Sequence, residues 1–183
     1  NRAGAGGNIG ADAVAKAAPD GGTIGLIGVS TLCAAPSLYG NLPFNPARDF
    51  TYIGGIWQLP NLLVVNNDVP ARTVPELIAL LKANPGKYTY ASSGSGTTVH
   101  LSGEMFKSIA GIDLTHVPYR GGGPAAIALL ANEVSAMFGG GSVVPTIKSG
   151  KLRGLATTGT VRNPATPDLP TIHEIYPGFE ALS

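Results

Sequence analysis

Short apolar segments alternate with helix-like segments along this chain, and glycine or proline separates almost every pair. In the second half of the chain the strand-like segments are residues 88–92, 114–118, 134–138 and 152–157. Helix-like segments follow the first three of them, at residues 97–110, 124–132 and 143–149. Strands that alternate with helices at this spacing predict βαβ units around a mainly parallel sheet, which is an α/β fold.

The first half of the chain repeats this alternation less regularly. Its pattern predicts helices over residues 8–18 and 33–39, strands over residues 23–28, 52–56 and 61–65, and a loop at Ser30-Thr31. The helix after residue 73 has the clearest start, because Thr73 and Glu76 stand at capping-box spacing. We expect Leu77, Leu80 and Leu81 to form its apolar face.

The segment 97–110 predicts a helix with a buried stripe. Leu101, Met105 and Ile109 recur at every fourth residue, the spacing that keeps side chains on one helix face. We therefore expect these three side chains to pack against the sheet.

Charge and cysteine content exclude several classes of protein. The net charge is +1 and only 13% of the residues are charged, so the chain lacks the basic surface of a nucleic-acid binder. No apolar segment reaches the ~18 residues of a membrane-spanning helix, so we expect no direct membrane insertion. Cys33 is the single cysteine, which excludes a disulfide framework and a cysteine metal cluster.

Three strand-to-helix loops are rich in glycine and hydroxyl residues: residues 92–98, 119–123 and 139–142. Ligands of open α/β sheets bind beyond the carboxyl ends of the strands, where these loops should lie. Glycine lets main-chain N–H groups approach a ligand, and a helix start favours an anion. Any one of the loops would pass as an ordinary turn, but three in succession favour a carboxylate site.

The residue patterns of catalysis and of common cofactors are absent from the sequence. Ser95 lacks the flanking glycines of a nucleophile elbow, and the glycines at positions 4, 6, 7 and 10 do not have dinucleotide-loop spacing. His100 and Glu104 share a helix face without forming a metal site, and we expect His100 to have a structural hydrogen-bonding role. For His116 we expect a role in the core or at a hinge. We therefore predict no catalytic residue, metal or cofactor.

Two residues of the second loop have alternative interpretations. Arg120 follows a strand and precedes three glycines, where a guanidinium would pair bidentately with a carboxylate or lie solvated at the rim. Tyr119 would line the pocket or pack beneath it.

Several motifs, in the same order along the chain, resemble the tripartite tricarboxylate transporter receptors, the Bug family of periplasmic solute-binding proteins. They are Asn1-Arg2, Gly4-Ala5-Gly6-Gly7, Pro19-Asp20-Gly21, Lys82-Ala83-Asn84-Pro85-Gly86-Lys87, His116-Val117-Pro118-Tyr119-Arg120-Gly121, Gly150-Lys151-Leu152-Arg153, Pro167-Asp168-Leu169-Pro170-Thr171 and Pro177-Gly178-Phe179. The resemblance implies a type II periplasmic-binding-protein fold, two βα lobes joined by a hinge, here incomplete at both ends. It would place residues 1–61 in the first lobe, with 159–183 returning to it, and residues 62–158 in the second.

The same resemblance implies a site between the lobes. The predicted ligand-binding residues are Ser30 and Thr31 from the first lobe, and Ser93, Gly94, Ser95, Thr97, Thr98, Tyr119, Arg120, Gly121 and Gly140 from the second. Members of the family usually have an acidic residue at the start of the loop that here reads Gly139-Gly140-Gly141, so its loss argues against an amino-acid ligand.

The implied function is periplasmic capture of a small carboxylate for delivery to the membrane permease subunits of a tripartite transporter. An effector-binding regulatory domain of the same architecture is the first alternative, and a doubly wound α/β enzyme is the second.

Overall fold

The computed structural model describes residues 4–183, so Asn1 and Arg2 of the family-like motif lie outside the described residues. Its centre is a five-stranded sheet in the order β3-β2-β4-β1-β5. The strands are β1 (Leu62–Val65), β2 (Thr89–Ser92), β3 (Thr115–Pro118), β4 (Ala136–Gly139) and β5 (Arg153–Thr157). β2 is parallel to β3 and β4, whereas β1 is antiparallel to β4 and β5. Four strands therefore share one direction, which confirms the predicted mainly parallel sheet.

Six α-helices connect or flank these strands in residues 4–183. They are α1 (Asn8–Ala15), α2 (Ala35–Leu38), α3 (Val74–Ala83), α4 (Thr98–Ala110), α5 (Gly122–Leu130) and α6 (Val144–Lys148). A π-helical turn, Ser30–Ala34, leads directly into α2. The prediction of a loop at Ser30-Thr31 is therefore wrong, although the short helix predicted next to it is present.

Two strands predicted in the first half of the chain are absent. Residues 23–28 and 52–56 join no ladder, and most of their apolar side chains are exposed, including Ile24, Leu26 and Ile53. A strand needs a partner strand for its main-chain N–H and C=O groups, and within residues 4–183 neither segment pairs with one. Apolar alternation alone therefore does not show that a segment forms a strand.

Alternation along the strands divides the core between the two faces of the sheet. In β1, Leu63 and Val65 pack on the face covered by α3 and α4, while Leu62 and Val64 face α5. Segments near the end of the chain also contribute, since Ile172 and Phe179 belong to the α3 and α4 side of the core. Within residues 4–183 no helix has the length and apolar character needed to span a membrane.

The start of α3 confirms one half of its predicted capping box. The Thr73 hydroxyl accepts a hydrogen bond from the Glu76 N–H at 3.3 Å. The Glu76 carboxylate accepts from the Arg72 N–H rather than from that of Thr73, at 2.7 Å. Among the predicted apolar residues, Leu77 and Leu81 are buried and Leu80 is partly buried.

The predicted stripe of α4 is wrong at two of its three positions, and only Met105 packs, partly buried, against the core. Leu101 and Ile109 are exposed, and the buried side chains of this helix include Val99, Ser102 and Phe106. Both sets have near-helical spacing, so periodicity alone does not choose between them. The buried set includes the fully buried Phe106, the largest side chain of the helix.

Candidate functional site

The three glycine-rich loops lie at one edge of the sheet. Ser92 of β2 pairs with Pro118 of β3, and Ala91 pairs with Met137 of β4, so the three strands end at nearly the same level. Since these strands are parallel, the loops after them project from the same edge. The main chain connects the first two loops directly, because the Tyr119 N–H donates to the Ser92 carbonyl at 3.0 Å.

The ligand loop, which we define as residues 93–97, has a main chain that requires glycine. Gly94 and Gly96 have φ values of 135° and 78°. A Cβ on Gly94 would lie 3.5 Å from the Tyr119 carbonyl oxygen, and a Cβ on Gly96 would lie 2.8 Å from a methyl group of Leu38. The positive φ favours glycine at both positions, and at Gly96 the close approach of Leu38 favours it as well.

Within residues 4–183, no side chain caps the first amides of the helix that follows the ligand loop. Thr97 is the N-cap of α4, but its hydroxyl donates to the Gly94 carbonyl at 2.6 Å and accepts no hydrogen bond from the helix. Gly121, at the start of α5, has no side chain to act as a cap. Main-chain N–H groups of both helix starts are therefore available to an anion.

The first part of the chain packs on the ligand loop. A Cβ on Gly6 would lie 3.2 Å from the Ser95 carbonyl oxygen, and Thr31 donates to the Gly6 carbonyl at 3.2 Å. The Tyr39 hydroxyl donates to the Ser95 carbonyl, also at 3.2 Å. The structure therefore brings Thr31 close to the ligand loop through Gly6.

Sequence reasoning did not assign Gly6 or Tyr39 to the site. The cluster of glycines at positions 4, 6 and 7 was the signal for Gly6, since such a segment allows close approach of two main chains. No local pattern marks Tyr39, whose contact spans 56 positions of the chain.

Other predicted site residues are less closely connected to the loop. Ser30 is half-buried, while Arg120 and Gly140 are exposed, and Arg120 has no ion pair within residues 4–183. The Thr98 hydroxyl is hydrogen-bonded to the Ser183 hydroxyl. These positions stay predictions as ligand contacts.

Two histidines pack beneath the ligand loop. The rings of His100 and His116 stack with centroids 4.0 Å apart. His116 Nε2 lies 2.7 Å from the Ser92 hydroxyl, and His100 Nδ1 accepts a hydrogen bond from the Gly96 N–H at 3.1 Å. The expected hydrogen-bonding role of His100 is thus seen in the structure, directly at the loop.

Burial controls the ionisation of this pair. It lowers the pKa of His116 to about 4, and it also lowers the pKa of His100 despite the nearby Glu104 carboxylate. Burial alone would raise the pKa of Glu104, but hydrogen bonds from Tyr90 and Lys107 lower it instead. Both imidazoles are therefore neutral at pH 7.

One groove in the described part of the chain lies away from the three loops. It has a volume of about 580 Å³ and is lined by residues between Leu32 and Asp49, including Tyr39. Tyr39 connects this groove to the ligand loop through Ser95. Residues 4–183 contain no group of three or more histidine, cysteine or acidic side chains arranged to hold a metal ion.

Comparison with known proteins gives a match along the whole chain. A family model described as "Tripartite tricarboxylate transporter family receptor" matches residues 1–183. Protein BugT of Bordetella pertussis is 38% identical over 99% of this chain. The alignment covers 56% of BugT, so the chain spans a little over half the length of the curated relatives it matches.

Solved structures with the same fold include two with bound carboxylates. Rpa4515 of R. palustris, solved with adipate, is 36% identical with a TM-score of 0.91, covering 100% of this chain and 62% of that one. MatC from Rhodopseudomonas palustris, solved with malate, is 31% identical with a TM-score of 0.88, covering 98% and 63%. These matches confirm the predicted α/β periplasmic-binding-protein fold and its incompleteness relative to the solved chains.

Proposed function

The chain belongs to the tripartite tricarboxylate transporter receptor family, and from that membership we propose that it is part of a periplasmic receptor for a small carboxylate. The observation that carries the proposal is the start of α4, where unpaired main-chain amides follow the tightly packed ligand loop. Adipate and malate in two solved relatives support a carboxylate as the ligand.

The electrostatics of the ligand loop favour a small anion. The amides at the starts of α4 and α5 carry partial positive charge. The exposed hydroxyl of Ser95 supplies a further donor beside them. Arg120 is the full positive charge on the adjacent loop, and we assign it to a second carboxyl group of the solute.

We further propose that the chain forms two lobes, residues 1–61 and 62–158, with a hinge where they join. The boundary at Asn61 is tied to the second lobe, because Asn61 and Thr158 exchange hydrogen bonds of 2.8 and 2.9 Å. A chain connection at such a boundary allows rotation of one lobe against the other. Because Ile172 and Phe179 pack in the core of the sheet, we assign the packed part of the returning segment to the second lobe.

Binding without chemical change is the proposed outcome. Ser92 and His116 resemble a nucleophile and its base, with 2.7 Å between hydroxyl and imidazole. Ser92 is fully buried, however, and its hydroxyl also accepts from the Gly94 N–H at 3.1 Å. A solute at the loop surface would not reach that oxygen, so this pair supports the loop and the enzyme alternative has no accessible nucleophile here.

The periplasm is the proposed location, and the permease subunits of a tripartite transporter are the proposed partners. The family supports both assignments. A receptor of this kind delivers its solute because open and closed states differ in affinity. The alternative of a regulatory domain predicts DNA binding by a larger protein, whereas the family match is to a transporter receptor.

A thermal-shift and calorimetric screen tests the proposed function. The purified protein is mixed with adipate, malate, citrate, a neutral sugar and an amino acid, and we expect carboxylates alone to raise the melting temperature. Stabilisation by the sugar with no response to any carboxylate would refute the proposal.

The double variant Ser95→Ala, Thr98→Ala then tests the site. Each hydrogen bond to a charged group contributes about 1.5–3 kcal/mol, so we expect affinity for a bound carboxylate to fall at least about tenfold. Ser108→Ala, an exposed hydroxyl in the last turns of α4, is the matched control and should leave affinity unchanged. Equal affinities in the double variant and the control would show that Ser95 and Thr98 do not contact the carboxylate.

A further inference from the structure

The stacked histidines connect the ligand loop to the interior of the protein. His100 lies in the first turn of α4 and His116 in β3, and their rings stack with an interplanar angle of 29°. The Tyr90 ring of β2 also packs against His116, with the two ring centroids 4.9 Å apart. The pair is thus enclosed between a helix and two strands.

Each histidine makes one hydrogen bond that orients the loop. His100 Nδ1 accepts from the Gly96 N–H, so the ring carries its proton on Nε2. His116 Nε2 bonds to the Ser92 hydroxyl, which in turn accepts from the Gly94 N–H. The two glycines of the ligand loop are therefore both anchored through this pair.

From these contacts we infer that neutral His100 is a positioning residue of the carboxylate site, and that protonation of His100 in acid releases the ligand. The inference rests on the proposed function of the loop. An imidazolium has two N–H donors and no acceptor, so it would face the Gly96 N–H with a second donor. The loop would then lose the bond that fixes Gly96 and the start of α4.

Nearby charges do not reverse this effect. Glu104 and Lys107 of α4 are the charged groups closest to the pair, and they form an ion pair with each other at 2.9 Å. Tyr90 donates to Glu104 at 2.7 Å, and Tyr39 approaches Gly96 from α2. The carboxylate that would favour a charged His100 is thus already occupied by two donors.

Burial sets the pH range in which release occurs. The pKa values of His100 and His116 are both lowered, that of His116 to about 4, so the neutral pair is the form present at pH 7. Affinity that depends on the neutral form is complete above the lowered pKa of His100 in the ligand-free protein, which lies under the ordinary histidine value of about 6.5, and it is lost as the pH falls through that lowered pKa. Ligand release is therefore expected in acid.

The variant His100→Asn separates positioning from titration. Asparagine Oδ1 has the same place on its side chain as histidine Nδ1, accepts a hydrogen bond and does not titrate. Adipate binding is measured by calorimetry at about pH 7.5 and about pH 5. We expect the affinity of the wild type to fall about tenfold more than that of His100→Asn, since only the wild type loses the bond to Gly96.

Protonation of adipate itself affects the wild type and His100→Asn equally, so it cancels when the two proteins are compared. His173→Asn is the matched control, since His173 also accepts from a glycine amide, Gly178 N–H at 3.2 Å, in a turn away from the loop. It should keep the pH dependence of the wild type. His100→Phe retains a ring for stacking but has no acceptor, so we expect weak binding at both pH values.

An independent measurement needs no ligand. The amide resonance of Gly96 should shift with pH in the wild type and stay constant in His100→Asn. Equal pH dependence of adipate affinity in these two proteins, or a Gly96 amide that ignores pH, would overturn the inference. Failure of the wild type to bind any carboxylate would instead refute the proposed function, while a titrating Gly96 amide would still support the role of His100 in the loop.

Discussion

Gly103 shows how a single residue fits one helix to the sheet. It lies in α4 directly over Tyr90, and a Cβ at this position would meet the tyrosine ring at 2.3 Å. Real Cβ atoms do not approach other atoms this closely, so the ring or the helix would have to move. Tyr90 is fully buried and hydrogen-bonded to Glu104, which leaves little freedom for the ring.

We predict that Gly103→Ala destabilises the protein. In an exposed helix the same change stabilises by about 0.5–1 kcal/mol, but overpacking of a core costs about 1–3 kcal/mol. The free energy of unfolding, measured by urea titration, should therefore fall. Gly123→Ala is the control, because Gly123 lies in α5 with open space around its Cβ position and should give neutral or increased stability. A stabilising Gly103→Ala would contradict the packing described for α4.

The sequence predicts residue-scale features only where the partners are close along the chain. Thr73 was identified as a cap because Glu76 is three positions away. Gly103 and Tyr90 are 13 positions apart, and the contact between them depends on how α4 lies on β2. No local rule assigns a packing role to a glycine in mid-helix.

At the scale of an element, α4 has a clear helical pattern but a mispredicted buried face. The predicted stripe contained Leu101 and Ile109, yet the helix is turned so that Phe106 and Val99 meet the sheet. Ser102 is buried with them, because its hydroxyl donates to the Thr98 carbonyl at 2.8 Å and accepts from Asn61 at 3.1 Å. A buried serine with partners breaks the simple rule that apolar residues define the core face.

We expect alanine substitutions in α4 to separate these two faces. Phe106 is 0% exposed and Leu101 is 38% exposed. Phe106→Ala should cost about 3–5 kcal/mol because it removes a buried ring and leaves a cavity. Leu101→Ala should change stability by no more than about 0.5 kcal/mol. Chemical denaturation of both variants measures the free energy of unfolding. A larger loss of stability in Leu101→Ala than in Phe106→Ala would support the predicted stripe instead.

Strand prediction succeeded where the chain itself supplies neighbours. The predicted segments in the second half became β2 to β5, each beside another strand. Residues 23–28 and 52–56 have similar apolar alternation but no partner strand within residues 4–183. Strand formation depends on pairing as well as on propensity, so a local pattern could not distinguish the two groups.

At the scale of the whole molecule, the sequence predicted the position of the candidate site better than it predicted which residues form the site. Alternating strands and helices place the loops after β2, β3 and β4 at one edge, whatever their side chains are. The contacts of Gly6 and Tyr39 with Ser95 come from the fold of the first 40 residues, where the sequence predicted both helices but not how they pack on the ligand loop. Contacts between residues far apart in the chain, such as those between the proposed lobes, cannot be predicted from the spacing of residues in the sequence.

The Tyr39 hydroxyl makes a side-chain contact between the two proposed lobes at the ligand loop, and this contact should stabilise their closed arrangement. Its hydrogen bond to the Ser95 carbonyl is 3.2 Å long, and it would be lost when the lobes separate. A net contribution of about 0.5–1.5 kcal/mol predicts that Tyr39→Phe weakens carboxylate binding by about two- to tenfold. Tyr52→Phe is the control, since Tyr52 also donates to a carbonyl, that of Pro46 at 2.7 Å, but within the first lobe. Calorimetry gives the affinities, and small-angle scattering with adipate should show a less compact average for Tyr39→Phe at equal ligand concentration. Equal affinities for the two variants would mean that Tyr39 does not couple closure of the lobes to binding.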